Sequence, residues 1–157
     1  MAWTCKLLDI VGTEMVHYDP PVNGVSGETH LVDSSGNKLR MRDLEIGSMF
    51  FLPKNIPVDD DVTKYEWPWF MAKKYKISDY YFENNAHRQP LFVLLPKNTL
   101  FLIDGKCWTD GRAYGGWNVS GEAPYITVSP SINISGTYHG WLQNGVLSDD
   151  CEGRVFT

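Results

Sequence analysis

The sequence predicts a mainly β chain, a β-rich α+β fold. Its antiparallel hairpins are expected to form a small sandwich or open barrel, with one or two short helices in the middle. Three observations lead there. Short extended segments are separated throughout by Gly, Pro, Asn and Asp, which supply turn conformations that other residues resist. Asp104-Gly105 and Asn144-Gly145 each stand between apolar runs, where an Asx-Gly pair fits the positive φ angles of a tight hairpin turn. Aromatic residues make up 13% of the 157 residues, and they suit half-buried pleated surfaces.

In chain order, Pro20-Pro21-Val22-Asn23-Gly24 reads as a surface loop. His30-Leu31-Val32 and Lys38-Leu39-Arg40-Met41 flank Asp33-Ser34-Ser35-Gly36-Asn37 as a hairpin with a longer turn. The stretch Ile56-Pro57-Val58-Asp59-Asp60-Asp61 reads as a second surface loop, its three aspartates lacking the alternating oxygen ligands and closing Glu of a calcium loop. Pro68 suits a helix start, so a helical turn is expected over residues 69–75. Ser78 is placed to cap a short helix running to about Asn85, with Asp79 in its first turn. Leu91-Phe92-Val93-Leu94-Leu95 is apolar throughout and bounded by Pro90 and Pro96, the pattern of a strand buried on both faces. Residues 100–103 and 106–108 are expected to pair across Asp104-Gly105, and residues 138–143 and 146–148 across Asn144-Gly145.

Composition narrows the function classes. A chain of this length buries a core of its own as one domain. The net charge is −5, from 19 acidic and 14 basic residues, and the longest basic run is Lys73-Lys74. Duplex binding ordinarily needs a basic surface, so no nucleic-acid partner is expected. No basic segment leads into an apolar stretch at the N-terminus, and no apolar run approaches a membrane span, so neither a signal peptide nor a membrane partner is expected. Cys5, Cys107 and Cys151 are odd in number and widely spaced, which fits a reducing cytoplasm better than a disulfide framework.

The C-terminal third carries a recognisable pattern. It contains Gly121-Glu122-Ala123-Pro124, then Pro130-Ser131-Ile132-Asn133, then Tyr138-His139-Gly140-Trp141-Leu142 and Asn144-Gly145-Val146-Leu147. This resembles an uncharacterised domain-of-unknown-function family found in tailed bacteriophages and bacterial genomes. Ile46-Gly47-Ser48-Met49-Phe50-Phe51, Arg88-Gln89-Pro90-Leu91 and Leu95-Pro96 extend the likeness upstream. The chain then divides into an N-terminal extension with a hairpin (1–43), a family-like core (44–148) and a C-terminal tail (149–157). Within the extension, residues 9–38 look like an addition.

For some bacterial members, found near genes of ubiquitin-like conjugation, the resemblance implies a metal held by a Cys-Glu-His-His set. Glu122 matches the Glu and His139 the first His. Trp141 replaces the second His, and no Cys closely precedes His139; Cys151 lies beyond the hairpin. A zinc centre needs three or four such ligands converging on one point, so Glu122, His139 and Cys151, with His87 or Cys107, are the alternative metal set. Ser131, His139 and Glu122 are also the residue types of a nucleophilic centre, although no Gly-x-Ser-x-Gly elbow presents Ser131. The competing reading makes Pro130-Ser131-Ile132-Asn133 a strand entry and His139 a strand-end hydrogen-bonding group.

Trp67, Trp69 and Phe70 beside Pro68, with Tyr80 and Tyr81, are candidate partner contacts, core packing being the alternative. Arg88 and Arg112 are the cations that a nucleotide-binding module would use. The function expected from these readings is a phage-encoded structural or interaction protein, a virion accessory on a capsid or tail. It would sit in the virion or in the host cytoplasm during infection, contact other phage structural proteins or a host protein, self-associate as a homo-oligomer, and need no cofactor. The alternative is a small metal-dependent hydrolase or anti-defence factor, with zinc, centred on Glu122 and His139.

Overall fold

The computed structural model describes residues 2–53, 77–109, 112–114 and 116–156. In chain order these form β1 (Trp3–Thr4), β2 (Lys6–Leu7), β3 (Ile10–Val22), β4 (Val25–Asp33), β5 (Lys38–Arg40), a 3-10 turn (Met41–Asp43) and β6 (Ser48–Phe51). Helix α1 (Asp79–Asn84) precedes β7 (Leu91–Leu95), β8 (Thr99–Leu102), β9 (Cys107–Thr109), β10 (Arg112–Tyr114), β11 (Asn118–Ser120), β12 (Thr127–Ile134), β13 (Tyr138–Gln143) and β14 (Val146–Leu147). They assemble as a five-stranded sheet β1-β14-β13-β12-β11, a four-stranded sheet β2-β6-β7-β8, a three-stranded sheet β3-β4-β5 and the pair β10-β9. The mainly β, sandwich-like class expected from the sequence is the class observed. Among the described strands one pairing departs from the antiparallel rule, since β2 runs parallel to β6.

Strand β7 sets the layering. Every residue in it is buried, as an apolar run between two prolines requires. Alternation sends Leu91, Val93 and Leu95 with Met49 toward the five-stranded sheet, where they meet Val128, Ile132, Tyr138, Leu142 and Leu147. It sends Phe92 the other way, stacked on Phe50 with ring centroids 5.4 Å apart, against Ile10, Leu31, Ile77 and Tyr81. Two apolar layers therefore share one central sheet, and each fully buried Leu or Phe contributes about 1.5–3 kcal/mol.

Ser78 caps α1 as expected, its Oγ accepting from the Tyr81 backbone N–H at 3.1 Å. Asn144 (φ 45°) and Gly145 (φ 76°) form the tight turn between β13 and β14. The expected helical turn at residues 69–75 and the acidic loop at 56–61 lie outside the described residues.

Two turn expectations are corrected. Residues 20–24 are not a loop: β3 runs to Val22, which pairs with Val25 across Asn23 (φ 50°) and Gly24 (φ 79°). The prolines there suggested irregular chain, yet an edge strand tolerates residues without an N–H. Asp104-Gly105 does not join a hairpin either, because β8 pairs with β7, whereas β9 pairs with β10.

Asp104 is instead a buried node. Its carboxylate accepts from Arg88 at 2.7 and 3.1 Å and from the Leu91 N–H at 2.9 Å. Its carbonyl accepts from the Ser78 N–H at 2.8 Å, which docks the start of α1. Arg88 in turn presents its carbonyl to the Tyr81 hydroxyl. Asp104→Ala leaves a guanidinium and a strand N–H unpaired in the interior, and is expected to cost about 3–5 kcal/mol in urea unfolding. Lys38→Ala, which breaks an exposed 2.9 Å pair with Glu14, is expected to cost at most about 1 kcal/mol in the same measurement.

Candidate functional site

The His-Gly corner is built by β12 and β13. Ile132 pairs with Gly140 and Asn133 with His139, so Ile132 and Tyr138 point into the core while Ser131 and His139 stand half-buried on the outer face. The Ser131 Oγ lies 3.2 Å from His139 Nε2. A serine hydrogen-bonded to an imidazole is the first contact of a nucleophilic centre, and a third group must then orient the ring. The carboxylate beside it, Asp150, accepts from the His139 backbone N–H at 3.2 Å rather than from the ring.

Asp150 also accepts from Glu152 N–H at 2.7 Å and Arg154 at 2.9 Å, so it pins the C-terminal tail to β13. Burial opposes its charge, and the hydrogen bond from Arg154 and those from the Glu152 and His139 amides outweigh it, holding the carboxyl below its ordinary value. Gly140 has a packing reason. The Tyr138 hydroxyl donates to the Ser148 carbonyl at 2.7 Å across it, and a Cβ at Gly140 would stand 2.1 Å from that hydroxyl.

Glu122 is exposed in the turn between β11 and β12, its carbonyl accepting from Tyr125 N–H at 2.7 Å. His139 lies beside the opposite end of β12. The strand positions next to the two residues, Thr127 and Asn133, are roughly 20 Å of extended chain apart. Glu122 therefore does not join Ser131 and His139. The Cys151 N–H donates to the His139 carbonyl at 2.6 Å, and His87 is exposed near α1. Among the described residues no three His, Cys, Asp or Glu side chains converge as a metal would need. The Cys107 and Arg112 side chains lie outside the described residues. Cys5 is enclosed in the main core, and burial pushes its thiol up to about 12, which leaves it unreactive at neutral pH.

The contact residues divide. Trp67, Trp69 and Phe70 lie outside the described residues. Tyr80 is half-buried against the main core. Tyr81 is 1% exposed, because the Ser78 cap turns it inward; it is a core residue, not a contact. Arg88 is committed to Asp104 and is not available to a nucleotide.

A cleft with several charged lining residues sits where sequence reasoning placed only an addition. β3 and β4 form a long hairpin, with β5 alongside its base. Glu14 pairs with His30, Val16 with Glu28 and His30 with Arg40, so these side chains share the face opposite Leu31 and Leu39, which pack on the body. A cleft of about 280 Å³ opens on that face, lined by Val16, Tyr18, Val22, Glu28, His30, Arg40 and Arg42. Glu28 is its hub. One oxygen accepts from the Tyr18 hydroxyl at 2.6 Å and from His30 Nε2 at 2.9 Å, and Arg42 stands 3.9 Å away. Donation from Nε2 to a carboxylate leaves Nδ1 as the ring's other polar atom. Among the described residues, that nitrogen is buried without a hydrogen-bond partner.

Alternation along Lys38-Leu39-Arg40 was the available signal for Arg40, whereas Glu28-Thr29-His30-Leu31-Val32 does not alternate. Comparison of the chain with known proteins finds no matching family model, no matching curated protein and no matching solved structure.

The hydrogen bonds from Tyr18 and His30 hold the Glu28 carboxyl below its ordinary value of 4.5, and the same bond from Tyr18 raises the phenol above 10.0. A depressed Glu stabilises the folded hairpin above pH 4.5 and stops doing so as pH falls through its folded value. A raised Tyr stabilises it below pH 10.0 and stops doing so as pH rises through its folded value. Side-chain NMR signals of Tyr18 and His30 should therefore show the cluster intact at neutral pH. In Glu28→Gln, the acid-side loss should vanish while the core signals stay unchanged.

Proposed function

We propose that this protein is a phage-encoded assembly module, a virion accessory that docks on a neighbouring structural protein through its β3–β4 arm. The observation that carries this reading is the unequal distribution of burial. β3 spans 13 residues, yet in the arm beyond Gly12 and before Leu31 no described side chain is buried. Val11 and Val22 are 50% and 49% exposed. A two-stranded hairpin of this kind is marginal in water by itself, and it gains its missing contacts when a partner covers it.

The edge of β3 offers the means. In its sheet β3 is an outer strand, and among the described residues none pairs with its free side. A partner strand added there would be held by main-chain hydrogen bonds, with alternate side chains setting specificity. Pro20 and Pro21 close the distal part of that edge to a ladder, and Glu14 discourages self-pairing, devices by which natural sheets limit indiscriminate edge association. The resemblance of the C-terminal third to a tailed-phage family supports placing the partner in a virion. The incomplete Ser131–His139 pair and the separation of Glu122 from it favour docking over hydrolysis.

Virions that lack the protein supply the test. Added full-length chain should co-sediment with them. A variant in which residues 16–28 are replaced by Asn-Gly should stay in the supernatant while its core unfolds at an unchanged denaturant midpoint. Equal sedimentation of both chains contradicts the proposal, and so does failure of the full-length chain to bind.

A further inference from the structure

The outer face of the five-stranded sheet is uncharged. Alternation turns Val119, Val128, Ile132, Leu142 and Leu147 into the core and the residues between them outward. Those outward positions, with Thr4 of β1, hold Ser, Thr, Asn, Gln, His, Pro, Val and Trp, and not one Asp, Glu, Lys or Arg. Charged residues are 21% of the chain and favour the surface, so a solvated face of five strands ordinarily carries several. The arm face does, with Glu14, Glu28 and Arg40.

Trp141 stands on the middle strand of this neutral face and is 41% exposed. The ladder slips beside it: Val128 pairs with Leu142 and Ile132 with Gly140, so Ser129, Pro130 and Ser131 lie opposite Trp141 alone. Bulges re-aim neighbouring side chains and are over-represented beside functional sites. Gln143 follows on the same face about 7 Å along β13, and Asn118 pairs with Ser129 about 10 Å from the strand of Trp141. The side-chain amides of Asn118, Asn133 and Gln143 make no hydrogen bond among the described residues, so donors and acceptors surround the indole unspent. Tyr125, 65% exposed, adds a second ring beside the Asn144-Gly145 turn, where the Gly145 N–H donates to the Ile126 carbonyl.

We infer that this face binds a neutral, extended oligosaccharide, with one sugar ring stacked on Trp141 and its hydroxyls bonded to the neighbouring amides. A pyranose has an apolar C–H face that suits an exposed indole, and a rim of hydroxyls that donate and accept as side-chain amides do. Charge selects against the alternatives. Nucleic acid and anionic membranes are held by cations, which this face lacks. A protein partner is ordinarily held by clustered aromatic and Arg anchors, whereas here one indole stands among small polar groups. A neutral polyol meets a neutral face without desolvating an ion on either side. An open sheet face fits an extended β-1,4-linked chain better than a coiled α-1,4-linked one. The inference goes beyond the docking of the arm, whose strands form another sheet.

NMR titration of the full chain with cellohexaose and N-acetylchitohexaose, two neutral β-1,4-linked chains, tests it. At least one should shift the Trp141 indole and the Gln143 and Asn133 side-chain amide signals saturably, with half-saturation at about 1 mM or below. A β-1,4-linked mannuronate hexamer, with a carboxylate on every ring, should bind at least about tenfold more weakly, and so should maltohexaose, an α-1,4-linked chain. Trp141→Ala should weaken binding at least about tenfold while the Val128 and Leu142 signals keep their positions. Gln143→Ala, at an exposed position, should weaken it about threefold and serves if Trp141→Ala does not fold. The inference is overturned if neither neutral hexamer gives a saturable shift, if the mannuronate or maltohexaose binds as tightly, or if the folded variants bind as the parent does. None of these outcomes depends on whether the arm docks to a virion.

Discussion

Large apolar side chains are buried in two layers against the β6–β7–β8 sheet, and the rest of the molecule is arranged by that fact. Met49, Val93 and Leu142 on one side, and Phe50, Phe92 and Leu31 on the other, are the residues whose removal from water drives folding. Among the described residues, the polar groups that enter this interior are paired. Asp104 and Arg88 satisfy one another and a strand amide, and Asp150 collects two amides and Arg154. The arm beyond Leu31 receives none of this burial. It stands on backbone ladders and on the Tyr18–Glu28–His30 cluster, so its stability is local and its surface is available.

That division also separates the signature-bearing corner, whose residues pack the body, from the arm. Pro130, Ser131, His139 and Gly140 occupy positions where the five-stranded sheet solves packing problems. Tyr138 needs the space that Gly140 leaves, and Cys151 and Asp150 use the His139 backbone to fasten the tail. The arm's polar face solves no packing problem in the body, yet it gathers five titratable side chains, Tyr18, Glu28, His30, Arg40 and Arg42, around one cleft. The cluster stabilises the arm itself, and its polar face is left open to solvent rather than packed on the body.

Local chemistry was legible in the sequence wherever it acts alone. The proline-bounded run at 91–95, the Ser78 cap and the Asn144-Gly145 turn each follow from a few adjacent residues, and each is observed. Asp104-Gly105 misled because its role is set by Arg88, sixteen positions away, which takes the carboxylate into the core. The pairing of Ser131 with His139 was legible as residue types in one region. Including Glu122 was not justified by geometry, since the length of β12 intervenes.

The arm cluster was hidden by register. At the tip Val22 pairs with Val25, whereas nearer the body Val16 pairs with Glu28, the ladder slipping between His17 and Val22 where Pro20 and Pro21 lack N–H groups. Had the tip register continued, Tyr18 would sit opposite Thr29 with Glu28 on the other face. An odd-numbered slip reverses the facing of every later side chain, and no local pattern in the sequence announces one.

Native-state hydrogen exchange on the isolated chain tests the unequal distribution of stability most directly. Amides of β7 should exchange through global unfolding. Those of residues 16–25 should exchange through local opening, with protection at least about a thousandfold lower. Arm amides protected to the level of Val93 would show that the hairpin is held by the body itself, and would contradict the account of it as a lightly anchored element awaiting a partner.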